Sequence, residues 1–340
     1  MKKICFFSSD SRPLYKKDVF RVMALPNGYT IHFRYRFTHL GLDLDKIDDL
    51  KAQKCVIFFS CGNDLKNPKP RINYSLREAI IEDIKKNDDT GLVHFYLKLQ
   101  DFKEFEIQPN QESIIPPIKF ASELEVLEKK PMQWHEIINN IKESFKDQLM
   151  YKFNFTEKDS NKEIAPKFDI AKSVSYYSLE DESSYSLNIA FYDTSDPNEN
   201  KYQNIQFEQS GELLKINAPS TIEIGALRDN ISYNVYTNSM NFNNTFTFLN
   251  FTSRTTNSAK TIEENYNVPI QVQIKKNRIR SFEFAGYSVL ALISAGLGKM
   301  IADKIDINGV FNLKLTGLMI VAIILGLFAA YNLYSLFNKK

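Results

Sequence analysis

Apolar and polar residues alternate over long parts of the chain before residue 275, which is the pattern of half-buried β-strands. The first clear example is Val19–Leu25 and Tyr29–Phe37, which are joined by Pro26-Asn27-Gly28. Asn-Gly supplies the positive φ angles of a tight primed turn. This segment therefore predicts a β-hairpin.

The rest of residues 1–148 contains segments with the period of two typical of strands and segments with the period of 3.6 typical of helices. Cys55–Ser60 and Leu92–Leu99 predict strands, whereas Leu76–Lys86 fits either a strand or a helix. A capping-box pattern at Ser122 and Glu125 predicts a short helix, and an apolar stripe from Trp134 to Phe145 predicts a second one. We expect an α+β N-terminal domain over residues 1–148, with an antiparallel sheet or a partial barrel.

Strand patterns dominate residues 150–275, and they recur about every ten residues between turns rich in Asn, Ser, Asp and Gly. The predicted strands are Ser184–Tyr192, Asn204–Gln209, Leu213–Asn217, Thr221–Ile224, Ile231–Tyr236, Thr245–Phe251 and Val268–Ile274. This spacing is typical of a β-sandwich. The chain is thus expected to be mainly β over two successive domains.

The C-terminal part of the chain changes to long uncharged apolar runs. With their flanks, residues 282–301 and 315–337 each reach the roughly 20 residues that a bilayer requires. They predict a C-terminal two-helix transmembrane hairpin over residues 282–337. Glu283 and Lys299 flank the first run, so its alternative is a buried globular helix, which would leave a single-span tail anchor.

Charges around these runs predict an orientation. Lys275, Lys276, Arg278 and Arg280 precede the first run, and Lys339 and Lys340 follow the second. The positive-inside rule then places both ends in the cytoplasm. The sequence predicts an integral protein of the bacterial inner membrane, with cytoplasmic N-terminal domains and a cytoplasmic C-terminus.

Small residues recur at helical spacing in both apolar runs, and such stripes let two helices approach closely. The predicted transmembrane packing residues are Ala291, Ser294, Ala295, Gly298, Ala322, Gly326 and Ala330. One interpretation is that the two helices pack on each other. The other is that they also drive homo-oligomerisation within the membrane.

Composition and motifs exclude several function classes. The formal net charge is only +2, so global charge gives no reason to expect nucleic acid as a partner. Three cysteines without a C-x-x-C pair indicate a reducing compartment. Four scattered histidines form no metal motif, and no Walker, G-x-S-x-G or G-x-G-x-x-G motif occurs. We expect no metal, no cofactor and no catalytic residue.

Two local patterns have both a purely structural interpretation and a functional one. Cys61 follows an apolar strand, where a thiol nucleophile could lie near His39 or His94, but a strand that ends in a turn explains the same residues. The acidic positions between Asp43 and Asp49 lack the glycine and glutamate of a calcium loop. A solvated face of a short amphipathic helix is the better interpretation there.

Basic residues are concentrated in the first forty positions. Arg34 and Arg36 share one strand face with His32, and Arg21 lies on the predicted hairpin partner. Guanidinium groups placed in this way can clamp a phosphate or carboxylate. We hypothesise an anion-binding site formed by Arg21, His32, Arg34 and Arg36, for a ligand such as a nucleotide or nucleic acid. The alternative is a solvated face that pairs with the acidic stretch Asp101–Glu128.

This layout, a sensing-type module followed by two apolar C-terminal helices, is similar to membrane effectors of bacterial antiviral defence. The resemblance implies a membrane-tethered cytoplasmic sensor or binding protein that oligomerises through its hairpin and perturbs the membrane. One alternative is a membrane scaffold that docks a cytoplasmic partner protein. Another is a membrane-anchored hydrolase with a site near Cys61.

Overall fold

The computed structural model describes residues 1–62, 71–109, 119–146, 148–194, 202–209, 212–218, 221–223, 230–238, 245–256, 266–276, 286–296, 299 and 313–338. The chain divides into two compact units. The larger unit comprises Met1–Leu179, Ser183–Asn238 and Asn244–Ile274, and the smaller comprises Glu180–Glu182, Ser239–Asn243 and Lys275–Lys340.

The described chain is mainly β, with three sheets and a few short helices. The strands are β1 (Lys2–Ser9), β2 (Thr30–Arg36), β3 (Leu40–Gly41), β4 (Lys54–Cys61), β5 (Ile72–Asn87), β6 (Leu92–Leu99), β7 (Lys103–Ile107), β8 (Ala121–Pro131), β9 (Leu149–Glu157), β10 (Lys167–Asp169), β11 (Val174–Glu180), β12 (Ser184–Asp193), β13 (Tyr202–Gln209), β14 (Leu214–Ile216), β15 (Thr221–Glu223), β16 (Asn230–Thr237), β17 (Thr245–Thr256) and β18 (Tyr266–Lys275). The helices are α1 (Pro13–Ala24), α2 (Trp134–Ile141), α3 (residues 286–296) and α4 (Leu313–Asn338). Short 3₁₀ turns cover Phe37–His39, Ile47–Leu50 and Lys142–Phe145.

The first sheet has eight strands in the order β2-β6-β5-β4-β1-β8-β3, with β7 added to β8. It is mixed, because β1 runs parallel to β4 and antiparallel to β8. Its central strands are apolar on both faces, and Phe6, Phe58 and Phe95 are fully buried. Strand β2 is an edge strand of this sheet, which matters for the site below.

The predicted hairpin is wrong in its first arm, because Pro13–Ala24 is helix α1. Pro13 suits the first helical position, because an N–H at that position would have no acceptor within the helix and proline lacks this N–H. Val19, Val22 and Met23 recur at helical spacing and are fully buried. Gly28, at φ +81°, makes the turn from α1 into β2.

The predicted helix at Ser122 is also wrong, since this segment is strand β8. Leu124 and Val126 alternate with polar residues and pack against Phe105 of β7, so the period of two decides the structure. The helix predicted after Pro131 is observed as α2, which continues into a 3₁₀ turn that ends at Phe145.

The strands predicted between residues 184 and 274 all occur, and they form two further sheets. One sheet has the order β14-β16-β12-β9, and the other has the order β10-β11-β18-β17-β13-β15. The two sheets pack face to face where Phe153 of β9 stacks on Phe251 of β17. The Tyr151 hydroxyl donates a hydrogen bond of 3.0 Å to the Phe251 carbonyl across the same interface.

The predicted transmembrane hairpin, and with it the integral-membrane location, is wrong: none of the helices in the described ranges has the length and apolarity to cross a bilayer. Uncharged apolar runs are equally compatible with helices that pack on protein, and the sequence pattern could not separate the two cases.

Three of the predicted packing residues meet within the smaller unit. The Ser294 hydroxyl donates to the Ala322 carbonyl at 2.6 Å. A Cβ atom added to Gly326 would lie 2.8 Å from the same hydroxyl, so this position needs a small residue. Ala295 and Ala330 are exposed, Ala291 is half-buried, and Gly298 lies outside the described residues.

Candidate functional site

A cavity of about 380 Å³ lies in the larger unit between α1, β2 and the six-stranded sheet. Its lining residues come from one helix and four strands or their adjoining turns. They are Asp18, Arg21, Leu25, Tyr29, Thr30, Ile31, His32, Phe33, Ser173, Val174, Ser175, Phe248, Val268, Pro269 and Gln271. Four of them, Thr30 to Phe33, are consecutive, which places the cavity beside the edge of β2 rather than over one of its faces.

Arg21 supplies a positive charge to this cavity. Helix α1 buries Val22 and Met23 in the core, and the adjoining Arg21 is half-buried at the cavity wall. Its Nε atom is buried and has no hydrogen-bond partner among the described residues. A buried donor without an acceptor costs stability, so each such group needs an explanation, and a ligand that supplies the acceptor is one explanation.

Asp18 lies one helical turn before Arg21 and lines the same cavity. Burial raises the pKa of its carboxyl to about 6, although the nearby charges of Arg21 and Arg34 act in the opposite direction. The carboxyl therefore loses its charge in mildly acidic solution, so the net charge of the cavity depends on pH.

His32 contributes a ring that is held by its neighbours. Its Nε2 atom lies 2.8 Å from Nδ1 of His94, and its ring stacks on Tyr96 at 5.0 Å. Although His32 is exposed at the surface, partial loss of hydration of its ring lowers its pKa to about 4, with His94, Arg34 and Arg21 adding to the effect. At neutral pH the ring is uncharged and can donate or accept one hydrogen bond but attracts no anion by charge.

The four residues predicted to bind an anion are thus divided between two places. Arg21 and His32 line the cavity, whereas Arg34 and Arg36 are exposed along β2 outside its lining. The sequence pattern did not reveal Asp18 as a member of the site, because its contribution depends on α1 being a helix. The spacing of Asp18 and Arg21 by three residues is the signal that identifies the pair once a helix is assumed.

Ser175 of β11 joins the edge of β2 to the six-stranded sheet. The Thr30 backbone N–H donates to the Ser175 hydroxyl at 2.9 Å, and that hydroxyl donates to the Thr30 carbonyl at 2.9 Å. Both groups are buried. The Ser175 side chain thereby binds both backbone groups of Thr30, which point away from β6, and it lines the cavity.

Arg77 of β5 fixes the C-terminal end of α1 and, through it, the position of the cavity wall. Its fully buried guanidinium donates to the carbonyls of Val22, Leu25 and Gln100 and to the Asn27 side chain. It also lies 4.3 Å from the centre of the Phe102 ring. Burial lowers the pKa of Arg77 to about 9, a value at which it still carries its charge at neutral pH.

The region around Cys61 gives the hydrolase hypothesis little support. The Ser144 hydroxyl donates to the Cys61 thiol at 3.3 Å, while burial raises the pKa of that thiol to about 12, which disfavours the reactive thiolate. His94 is engaged with His32, and His39 packs on Phe120. Among the described residues, no group of three or more His, Cys, Asp or Glu side chains is arranged to hold a metal ion.

No protein-family model matches the chain, and no curated protein matches it. Among solved structures it is similar to the E. coli chaperone DraB, at 8% identity and a TM-score of 0.21, over 29% of this chain and 51% of that one. It is also similar to the Yersinia pseudotuberculosis adhesin InvE, at 10% identity and a TM-score of 0.18, over 79% of this chain and 58% of that one. The chain thus spans between half and three fifths of these proteins, and such distant likenesses give no information on its fold or function.

Proposed function

We propose that the protein is a non-enzymatic binding protein whose cavity beside β2 takes an anionic ligand through Arg21. The observation that carries the proposal is the buried Nε of Arg21, which faces no acceptor among the described residues. A carboxylate or phosphate oxygen would supply the acceptor that this Nε atom lacks among the described residues.

The rest of the cavity limits the ligand. Its volume of about 380 Å³ falls within the range of roughly 300–1,000 Å³ typical of small-molecule sites. Leu25, Phe33, Val174 and Val268 give it apolar walls. The chemistry therefore fits an anion with an apolar or aromatic body better than a polynucleotide strand.

Calorimetric titration of the full chain with benzoate, a mononucleotide and inorganic phosphate tests the proposal. Arg21→Gln should weaken the binding of the best of these ligands more than tenfold, because a charge-assisted hydrogen bond contributes roughly 1.5–3 kcal/mol. Arg36→Gln is the matched control, since Arg36 is exposed outside the lining, and it should leave the affinity unchanged. Equal affinity for wild type and Arg21→Gln, or no binding of any of the three anions, contradicts the proposal.

A further inference from the structure

The edge of β2 has backbone hydrogen-bonding groups that no described residue uses. At the start of the β2–β6 pair, the Gly28 N–H donates to the Leu99 carbonyl, and the Leu99 N–H donates to the Tyr29 carbonyl. The alternation of an antiparallel ladder therefore directs the backbone groups of Thr30, His32, Arg34 and Arg36 away from β6. Ser175 occupies those of Thr30, and the backbone groups of His32, Arg34 and Arg36 have no partner in the part of the chain that the structure describes.

From this edge we infer that the protein binds an extended acidic segment of a partner protein, which adds to the sheet as a strand next to β2. The inference rests on the proposed function, since it identifies the carrier of the anionic group that Arg21 receives. Addition of a strand to an exposed edge is a common mode of peptide recognition, in which backbone bonds give affinity and side-chain pairs give specificity.

Strand β2 has the regular geometry that pairing with an additional strand requires. β2 is regular over seven residues, pairs with β6 without a register shift, and contains no Pro, Gly or Lys. Proteins that protect an edge against pairing use bulges, Pro or charged side chains, above all Lys. Of these, β2 has only the charges of Arg34 and Arg36, which repel a basic strand but not an acidic one. The cavity lies beside the same edge at Thr30 to Phe33, so the open space continues along the line that an added strand would follow.

The positive charge of β2 determines which kind of strand can add to its edge. Arg34 and Arg36 project on one exposed face of β2, and residues directly opposite each other on neighbouring strands interact most strongly when their charges are opposite. A second copy of β2 would set these arginines against each other, which disfavours an edge-to-edge dimer. A segment with acidic residues at alternate positions would pair with both arginines, and a further carboxylate would reach Arg21.

The experiment uses the full chain and the peptide Ac-(Glu-Val)₃-NH₂ as the probe. Hydrogen exchange should show slowed amides at His32 and Arg34 when the peptide is bound, because these amides then enter a ladder. The same peptide with N-methyl groups on alternate residues should bind at least tenfold more weakly. Equal affinity of the two peptides, the absence of binding, or unchanged exchange at His32 and Arg34 overturns the inference.

A charge swap tests the side-chain pairing. The double variant Arg34→Glu/Arg36→Glu should lose the glutamate peptide and gain Ac-(Lys-Val)₃-NH₂. Lys142→Glu/Lys146→Glu makes the same change in net charge at exposed positions beside α2 and should keep the glutamate peptide. If both double variants lose it equally, the attraction is only long-range and the inference fails.

The two proposals fail separately. Benzoate binding that depends on Arg21 and persists in Arg34→Glu/Arg36→Glu supports the cavity even when the peptide does not bind. Concentration-dependent dimerisation through β2, with slowed amides in the absence of peptide, shows that a second copy occupies the edge and overturns the acidic-partner inference.

Discussion

Two arginines contact helix α1 in different roles: Arg21 lies on α1 at the cavity wall, and Arg77 of β5 binds the C-terminal end of the helix. Arg77 is fully buried, and its guanidinium donates to three backbone carbonyls and one side-chain amide oxygen. Arg21 is half-buried, and its buried Nε has no described acceptor. Hydrogen bonding within the protein accounts for the position of Arg77. Among the described residues it does not account for the buried Nε of Arg21, and an external acceptor would.

The largest effect that separates these roles should come from Arg77→Met. The substitution removes the donors and leaves buried carbonyls of Val22, Leu25 and Gln100 without partners. We expect the free energy of unfolding in urea to fall by about 3–5 kcal/mol. Arg77→Lys keeps the charge but not the planar fork, and it should cost less than Arg77→Met. A loss below about 1 kcal/mol would show that these hydrogen bonds do not hold α1.

The comparison also shows what the sequence can and cannot predict. Period-two alternation located β12 almost to the residue, at Ser184–Tyr192 against the observed Ser184–Asp193. Helix α1 replaces the predicted strand Val19–Leu25 because Val19, Phe20, Val22 and Met23 resemble a strand only in a short window, whereas Pro13 is a signal for the start of a helix.

The site was predicted only in part, because its chemistry depends on contacts between distant segments. Arg21 was predicted from its charge, although its predicted strand is in fact part of α1, and His32 was predicted from its position on β2; Asp18 was not predicted. Arg77 carried no sequence signal at all, since its acceptors lie 23 to 55 residues away along the chain. Local patterns identify charged residues, while only the fold shows which of them are left without partners.

A second, smaller effect should follow the ionisation of Asp18. Its pKa of about 6 in the folded protein exceeds its ordinary value of 3.8 because burial disfavours the carboxylate. The folded state therefore binds the proton more tightly, so the contribution of this carboxyl to stability is fully present below its ordinary pKa of 3.8 and is lost as the pH rises through about 6. Three titratable or charged groups line the cavity near Asp18: Arg21 on α1, Tyr29 before β2 and His32 on β2. Arg34 of β2 acts on Asp18 from outside the lining. The described lining residues of β11, β17 and β18 carry no charge.

Urea unfolding of wild type and Asp18→Asn between pH 4 and pH 7.5 measures this dependence. The stability of wild type relative to Asp18→Asn should fall by on the order of 2 kcal/mol across that range, after allowance for partial exposure of the group. A pH-independent difference between the two proteins would contradict a raised pKa. Anion binding should follow the same titration, with tighter binding below pH 6, where Asp18 no longer repels the ligand.

The smallest change in stability should come from Arg21→Met, which is the matched partner of Arg77→Met. The measurement belongs at pH 5, because Asp18 is then mostly protonated and the loss of its attraction to Arg21 hardly contributes. Removal of a buried donor that has no acceptor relieves its desolvation cost, so the free energy of unfolding should stay within about 1 kcal/mol of wild type or rise. A loss as large as that of Arg77→Met would mean that Arg21 already has its partner within the chain. The difference between the two arginines would then be one of position, and the cavity would need another group to attract an anion.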